Sequence, residues 1–262
     1  VLSAASTAET NVRAQLVADH DVISPGKPFR VGVQFRIPPR AHIYWHNPGD
    51  TGLPTSVEFT VPDGFTVSDV QWPFPSSFRD DILKETSFGY EFEVLLFATV
   101  QPSNEIQEGD TFTIHANAAW LVCLEDGACI PEDAKVDLAL AAGDPSISSK
   151  RAHAFDRSAD RVPIDISDID VPLRVTRVGD PSQTLRVAID APWEFDPEAP
   201  LFVPDNGGSW TLASVSTSHE IELSATKTID APISGALTLY IRRTGDSERK
   251  VIYVRFGEPK GD

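Results

Sequence analysis

Alternation with a period of two runs through most of the chain. Phe29, Val31, Val33, Phe35 and Ile37 interleave with Arg30, Gly32, Gln34 and Arg36, the pattern of a strand with one buried face. From Phe112 the same rhythm passes through Ile114, Ala116, Ala118, Trp120 and Val122. Further strands are predicted near 12–18, 57–61, 94–100 and 134–141. Turn signals separate them at Ser24-Pro25-Gly26, Pro62-Asp63-Gly64 and Gln107-Glu108-Gly109-Asp110. Many short strands with tight connections predict an all-β sandwich.

The rhythm breaks at 145–161 (PSISSKRAHAFDRSADR), which is rich in Ala, Arg and Ser and predicts one short helix. The acidic, proline-bounded VPIDISDIDVP that follows reads as a connector. Alternation then returns at Leu185, Val187 and Ile189, at Trp210 and Leu212, and at Ile221 and Leu223. It continues at Leu237, Leu239 and Ile241, and at Ile252, Val254 and Phe256. The expectation is two immunoglobulin-like β-sandwich domains in tandem: residues 1–145, a helical linker at 146–164, and a second sandwich at 165–262. The second contains no cysteine and a single histidine, His219, so it reads as a structural or docking domain.

Composition narrows the function. Of 262 residues, 41% are hydrophobic and 9% aromatic, enough for two packed cores. Lys+Arg total 22 against 39 Asp+Glu, a net charge of −17. Such a chain is repelled by nucleic acid and by anionic lipid surfaces. No stretch approaches the roughly 18 apolar residues of a membrane-spanning helix. The first residues, VLSAASTAET, are small and polar, as at a mature terminus left by signal cleavage or at a fragment boundary.

The two cysteines carry the chemistry. Cys123 and Cys129 bracket five residues that include Asp126-Gly127, a turn tolerant of positive φ. A loop this short brings two cysteines within reach of a disulfide, but its closure removes little unfolded-state entropy. On the 112–122 strand the apolar face is even-numbered, so Cys123 is expected to point its sulfur away from the core; a bulge would reverse this. Glu125, Asp126, Glu132 and Asp133 surround the pair and disfavour a thiolate, which predicts thiols that are not unusually acidic. No metal is expected: the cysteine spacing is a poor zinc signature, and His42 and His46 on an extended strand stand roughly 13 Å apart.

The stretch from His42 to Thr55 (HIYWHNPGDTGLPT) resembles the periplasmic N-terminal domain of the DsbD and ScsB family of disulfide reductases. So do Trp72 to Pro75 (WPFP), Phe88 to Tyr90 (FGY) with Val94 to Leu96 (VLL), and Leu121 to Glu132 (LVCLEDGACIPE). These motifs span about residues 10–145, in the family's order. The resemblance implies a periplasmic, Gram-negative-type location and protein-disulfide reductase activity with no organic cofactor. It implies that Cys123 and Cys129 are the redox pair. Their electrons would come from a membrane-embedded reductase domain of the same or another chain and pass to a thioredoxin-fold partner. It further implies a mobile aromatic cap over the cysteines, here the loop from about Ser76 to Tyr90 with Phe88 and Tyr90, and Tyr44 and Trp45 lining the same site. A two-sandwich layout is more like the ScsB branch, which is associated with copper tolerance. The chain lacks a membrane segment and a CxxC domain, so it reads as an excised fragment or a free-standing relative.

Two other readings remain open on the residues alone. One is a non-catalytic binding module with a structural disulfide. The other is a periplasmic copper-handling protein that uses Cys123, Cys129 and a nearby histidine.

Overall fold

The computed structural model describes residues 12–80, 82–125, 127–144, 150–178, 184–196, 201–204, 213–224 and 234–256. The chain is all-β and immunoglobulin-like. Its described residues fall into two compact units. The first holds residues up to His46, Gly52–Ser76 and Gly89–Asp160. The second holds Asn47–Thr51, Ser77–Phe88 and the residues from Arg161 on.

Among the described residues eleven strands precede the helix: β1 Arg13–Ala18, β2 Val22–Ile23, β3 Phe29–Arg36, β4 Ala41–Gly49, β5 Ser56–Thr60, β6 Thr66–Val67, β7 Ser76–Asp80, β8 Glu85–Tyr90, β9 Glu93–Gln101, β10 Thr111–Leu124 and β11 Cys129–Ala142. One sheet runs β1-β3-β9-β6. The other runs β2-β11-β10-β4-β8-β7, with β5 also paired to β10. The alternation read from the sequence is the packing: Phe29, Val31, Val33 and Phe35 of β3 are buried, as are Ile114, Ala116, Ala118, Trp120 and Val122 of β10. Phe35 meets Trp120 edge-on at 5.2 Å between ring centroids, a favoured aromatic geometry that joins the two sheets.

Helix α1 (Ala152–Ala159) forms within the segment expected to be helical; residues 145–149 of that segment lie outside the described residues. The helix packs on the first unit rather than standing free between sandwiches. Phe155 is fully buried, edge-on to Phe97 of β9 at 5.9 Å. Arg30 of β3 lies over the Phe155 ring and bonds the Asp156 carboxylate at 2.8 Å.

In the second unit, β12 (Ile164–Asp165), β13 (Leu173–Val178), β14 (Thr184–Ile189), β15 (Trp193–Phe195), β16 (Phe202–Pro204), β17 (Ala213–Ser216), β18 (Glu220–Ser224), β19 (Gly235–Arg243) and β20 (Lys250–Phe256) form two sheets. Their orders are β12-β20-β19-β15, with β16 also on β19, and β13-β14-β18-β17. Leu185, Val187, Ile189, Ile221, Leu223, Leu237, Leu239 and Ile241 form their shared core. Trp210 and Leu212 lie outside the described residues. The acidic connector is partly structured: Ile164 and Asp165 pair in parallel with Val254 and Arg255.

Candidate functional site

The β10–β11 ladder is unbroken from Thr111↔Ala141 to Cys123↔Cys129, with no bulge. Beyond it, Leu124 N donates to Ala128 O and Gly127 N donates to Leu124 O, closing the loop. Gly127 has φ +87° with open space where a Cβ would stand, so the backbone conformation alone calls for glycine. Directly opposed residues without mutual backbone bonds lie closest across an antiparallel pair. Cys123 and Cys129 have their Cα atoms 4.1 Å apart and are joined as a disulfide.

The neighbouring strand fixes what stands beside the sulfurs. β4 pairs antiparallel with β10 in the register Ile43↔Val122, His42↔Cys123 and Ala41↔Leu124. Directly opposed residues share a face, so His42, Cys123 and Cys129 form a row across three adjacent strands. Tyr44, two residues along β4, lies on that face too, and its ring meets His42 edge-on at 5.1 Å. The Tyr44 hydroxyl oxygen is 3.2 Å from Cys123 Sγ. A disulfide sulfur carries no hydrogen, so the phenol donates. Gly52 (φ +98°) presses against this ring; a Cβ there would stand 2.3 Å from Tyr44 carbons. The hairpin tip is tied down as well: Glu125 N donates to Arg40 O at 3.1 Å, and Arg40 Nε to Glu125 Oε2 at 2.6 Å.

This cover changes the expected exposure. Parity holds and Cys123 is on the odd face, yet it is only 3% exposed, with the Tyr44 hydroxyl against its sulfur. Cys129, on the outer strand of the hairpin, is exposed. The bridge therefore joins one buried and one exposed residue.

Two of the expected acidic neighbours are engaged by other groups. Glu125 is ion-paired with Arg40. Glu132 is on the opposite face of β11 from Cys129, where its carboxylate accepts from Trp120 Nε1 at 3.0 Å and from Val12 N at 3.3 Å. Asp126 lies outside the described residues. Burial pushes the His42 imidazole below its ordinary pKa and the Tyr44 phenol above its own, so both are neutral near pH 7.

The residues expected to form a cap are part of the sheet. The segment from Ser76 to Tyr90 is a pair of strands, β7 and β8, rather than a loop. Phe88 and Tyr90 are buried, and the Tyr90 hydroxyl donates to Pro73 O at 2.6 Å. The exposed apolar residues are Ile82 (90%) and Leu83 (65%) in the connecting turn. There the Asp80 carboxylate accepts from both their backbone N–H groups. Trp45 has the opposite parity to Tyr44 and is buried, its ring against His46 at 3.8 Å. Among the described residues no group of three His, Cys, Asp or Glu side chains is placed to hold a metal ion, and no helix is long and apolar enough to cross a membrane. His42 was weighed in the sequence only as a metal ligand. The signal for its place was its shared parity with Tyr44 on a strand beside the cysteines.

The site is a half-exposed disulfide at a hairpin end of an immunoglobulin-like domain. The family model described as "Thiol:disulfide interchange protein DsbD, N-terminal" matches residues 13–141. Residues 13–141 are thus a DsbD N-terminal family domain, and family and disulfide together support a role in thiol:disulfide exchange. No curated protein matches the chain by sequence. Among solved structures, the N-terminal periplasmic domain of ScsB from Proteus mirabilis is similar over 97% of this chain and 100% of its own, with a TM-score of 0.58 and 20% identity. The reduced DsbD N-terminal domain of Neisseria meningitidis is similar over 49% of this chain and 86% of its own, with a TM-score of 0.30 and 15% identity.

Proposed function

We propose that the first unit is an extracytoplasmic electron relay that works through Cys123 and Cys129. In this reading a membrane-embedded reductase domain, of the same or another chain, reduces the pair, and the pair then reduces a disulfide in a thioredoxin-fold partner. The observation that carries it is the asymmetry of the bridge: Cys129 is exposed while Cys123 is buried against the Tyr44 hydroxyl.

The steps follow from that asymmetry. In the reduced protein the Cys129 thiolate attacks one partner sulfur, forming a mixed disulfide and releasing the other partner sulfur as a thiolate. Cys123 then attacks Cys129 Sγ, re-forms the Cys123–Cys129 bond and releases the second partner thiolate. Two electrons have passed to the partner. In recharging, an incoming thiolate attacks Cys129 and Cys123 leaves; the Tyr44 phenol, already donating to Cys123 Sγ, stabilises the charge that grows there. An extracytoplasmic location accords with an oxidised pair and with the periplasmic origin of the ScsB domain.

Trapping tests the assignment. Cys123→Ser leaves the exposed sulfur without its resolving partner, and should accumulate a mixed disulfide with a thioredoxin-fold protein. Cys129→Ser should accumulate far less. Equal trapping by both variants would contradict the division of roles.

A further inference from the structure

His42 has no part in the scheme above, although it stands in register with Cys123 on the same face. Side chains directly opposed across an antiparallel pair have Cβ atoms about 4.5–5.5 Å apart, within reach of a ring nitrogen directly or through one water. The ring is held edge-on to Tyr44, whose hydroxyl touches Cys123 Sγ. Cys123 itself is buried, so bulk water is poorly placed to take its proton when it must become a nucleophile. We propose that His42 is the proton acceptor for the Cys123 thiol in the resolving step, an assignment that rests on the relay reading.

The step balances as follows. With the mixed disulfide on Cys129, the Cys123 S–H proton passes to the His42 imidazole as Cys123 Sγ bonds to Cys129 Sγ. The Cys129–partner bond breaks, its electron pair leaves on the partner sulfur, and the imidazolium returns the proton to that thiolate or to water. Burial keeps His42 neutral, and so able to accept, near pH 7. Among the described residues, the titratable and charged groups around it are Cys123 on β10, Cys129 on β11, Tyr44 on its own strand, and the Arg40–Glu125 pair at the hairpin tip. Strand β8, whose Gly89 abuts the Ile43 carbonyl, adds Tyr90, with its hydroxyl on Pro73 O.

Stopped-flow reaction of the reduced protein with dithiobis(nitrobenzoate), a chromogenic disulfide, separates the two steps. The first equivalent of released chromophore reports attack by Cys129. The second, independent of reagent concentration, reports resolution by Cys123. In the native protein the second phase should vary little between about pH 7 and 8.5 and should show a normal solvent deuterium isotope effect. In His42→Gln it should be about tenfold or more slower at pH 7 and rise about tenfold per pH unit as the free thiolate fraction grows, with the first phase unchanged. A merely structural role for His42 would shift both phases without changing the slope. Two equivalents with the same pH slope in both proteins overturn the proposal. So does the absence of an isotope effect in the native protein, a readout that stands even if the variant fails to fold. A native protein that never releases the second equivalent overturns the relay reading itself, and this proposal with it.

Discussion

Tyr44 shows how one side chain sets the character of the bridge. Its phenol closes the inner face of the disulfide and donates to the buried sulfur. Hydrogen bonds to charged groups are worth about 1.5–3 kcal/mol, so Tyr44→Phe should slow reduction of the bridge by a small dithiol about tenfold or more. An unchanged rate, measured by thiol release, would show that the phenol does not act on the leaving sulfur. His42 adds a pH signature to stability. Its imidazole is held below the unfolded value near 6.5, so the unfolded chain binds a proton that the folded chain refuses. Stability should therefore fall as pH drops through about 6.5 towards the lower folded pKa, and be unaffected by this group above it. Denaturant titration of the protein and of His42→Gln should show this acid-side loss in the first and its reduction in the second.

At the scale of elements, the β10–β11 hairpin was legible in the sequence, and the strand that completes the site was less so. The even-position run from Phe112 to Val122 and the Asp-Gly turn foretold the hairpin, and its register puts Cys123 directly opposite Cys129. What parity does not show is which face a neighbouring strand covers. On the odd face β4 brings the Tyr44 hydroxyl against buried Cys123, a contact between residues 79 apart in the chain. Burial was hidden in the same way at Phe88 and Tyr90: the FGY run reads as a cap, and in the structure it ends a strand with both rings buried. Helix α1 was visible as a break in alternation; its docking by Phe155 was not. Removing a fully buried Phe side chain typically costs about 3–5 kcal/mol. Phe155→Ala should therefore lower the denaturation midpoint clearly while leaving the reduction potential of the pair unchanged. A shift in potential would reveal a coupling that the packing does not suggest.

Over the whole molecule, the net charge of −17 bears on encounter more than on fold. Exchange with a cationic small disulfide should slow as salt is added, whereas exchange with an anionic one should quicken, because screening weakens attraction and repulsion alike. Rates that ignore salt would mean that the field at Cys129 does not follow the total charge. The tandem β character of the chain was readable from alternation and turn residues alone. The composition of the two units was not: Asn47–Thr51 and Ser77–Phe88 group with the second unit through contacts distant in sequence, such as Asn47 Nδ2 donating to Pro204 O. The central claim is that the Cys123–Cys129 bridge is a working redox pair, and its reduction potential tests this most directly. Equilibration against a dithiothreitol or glutathione series should give a value above about −300 mV, where thiol-exchange proteins operate. A value well below that, with a bridge that resists reduction until the domain unfolds, would make it a structural staple and contradict the account.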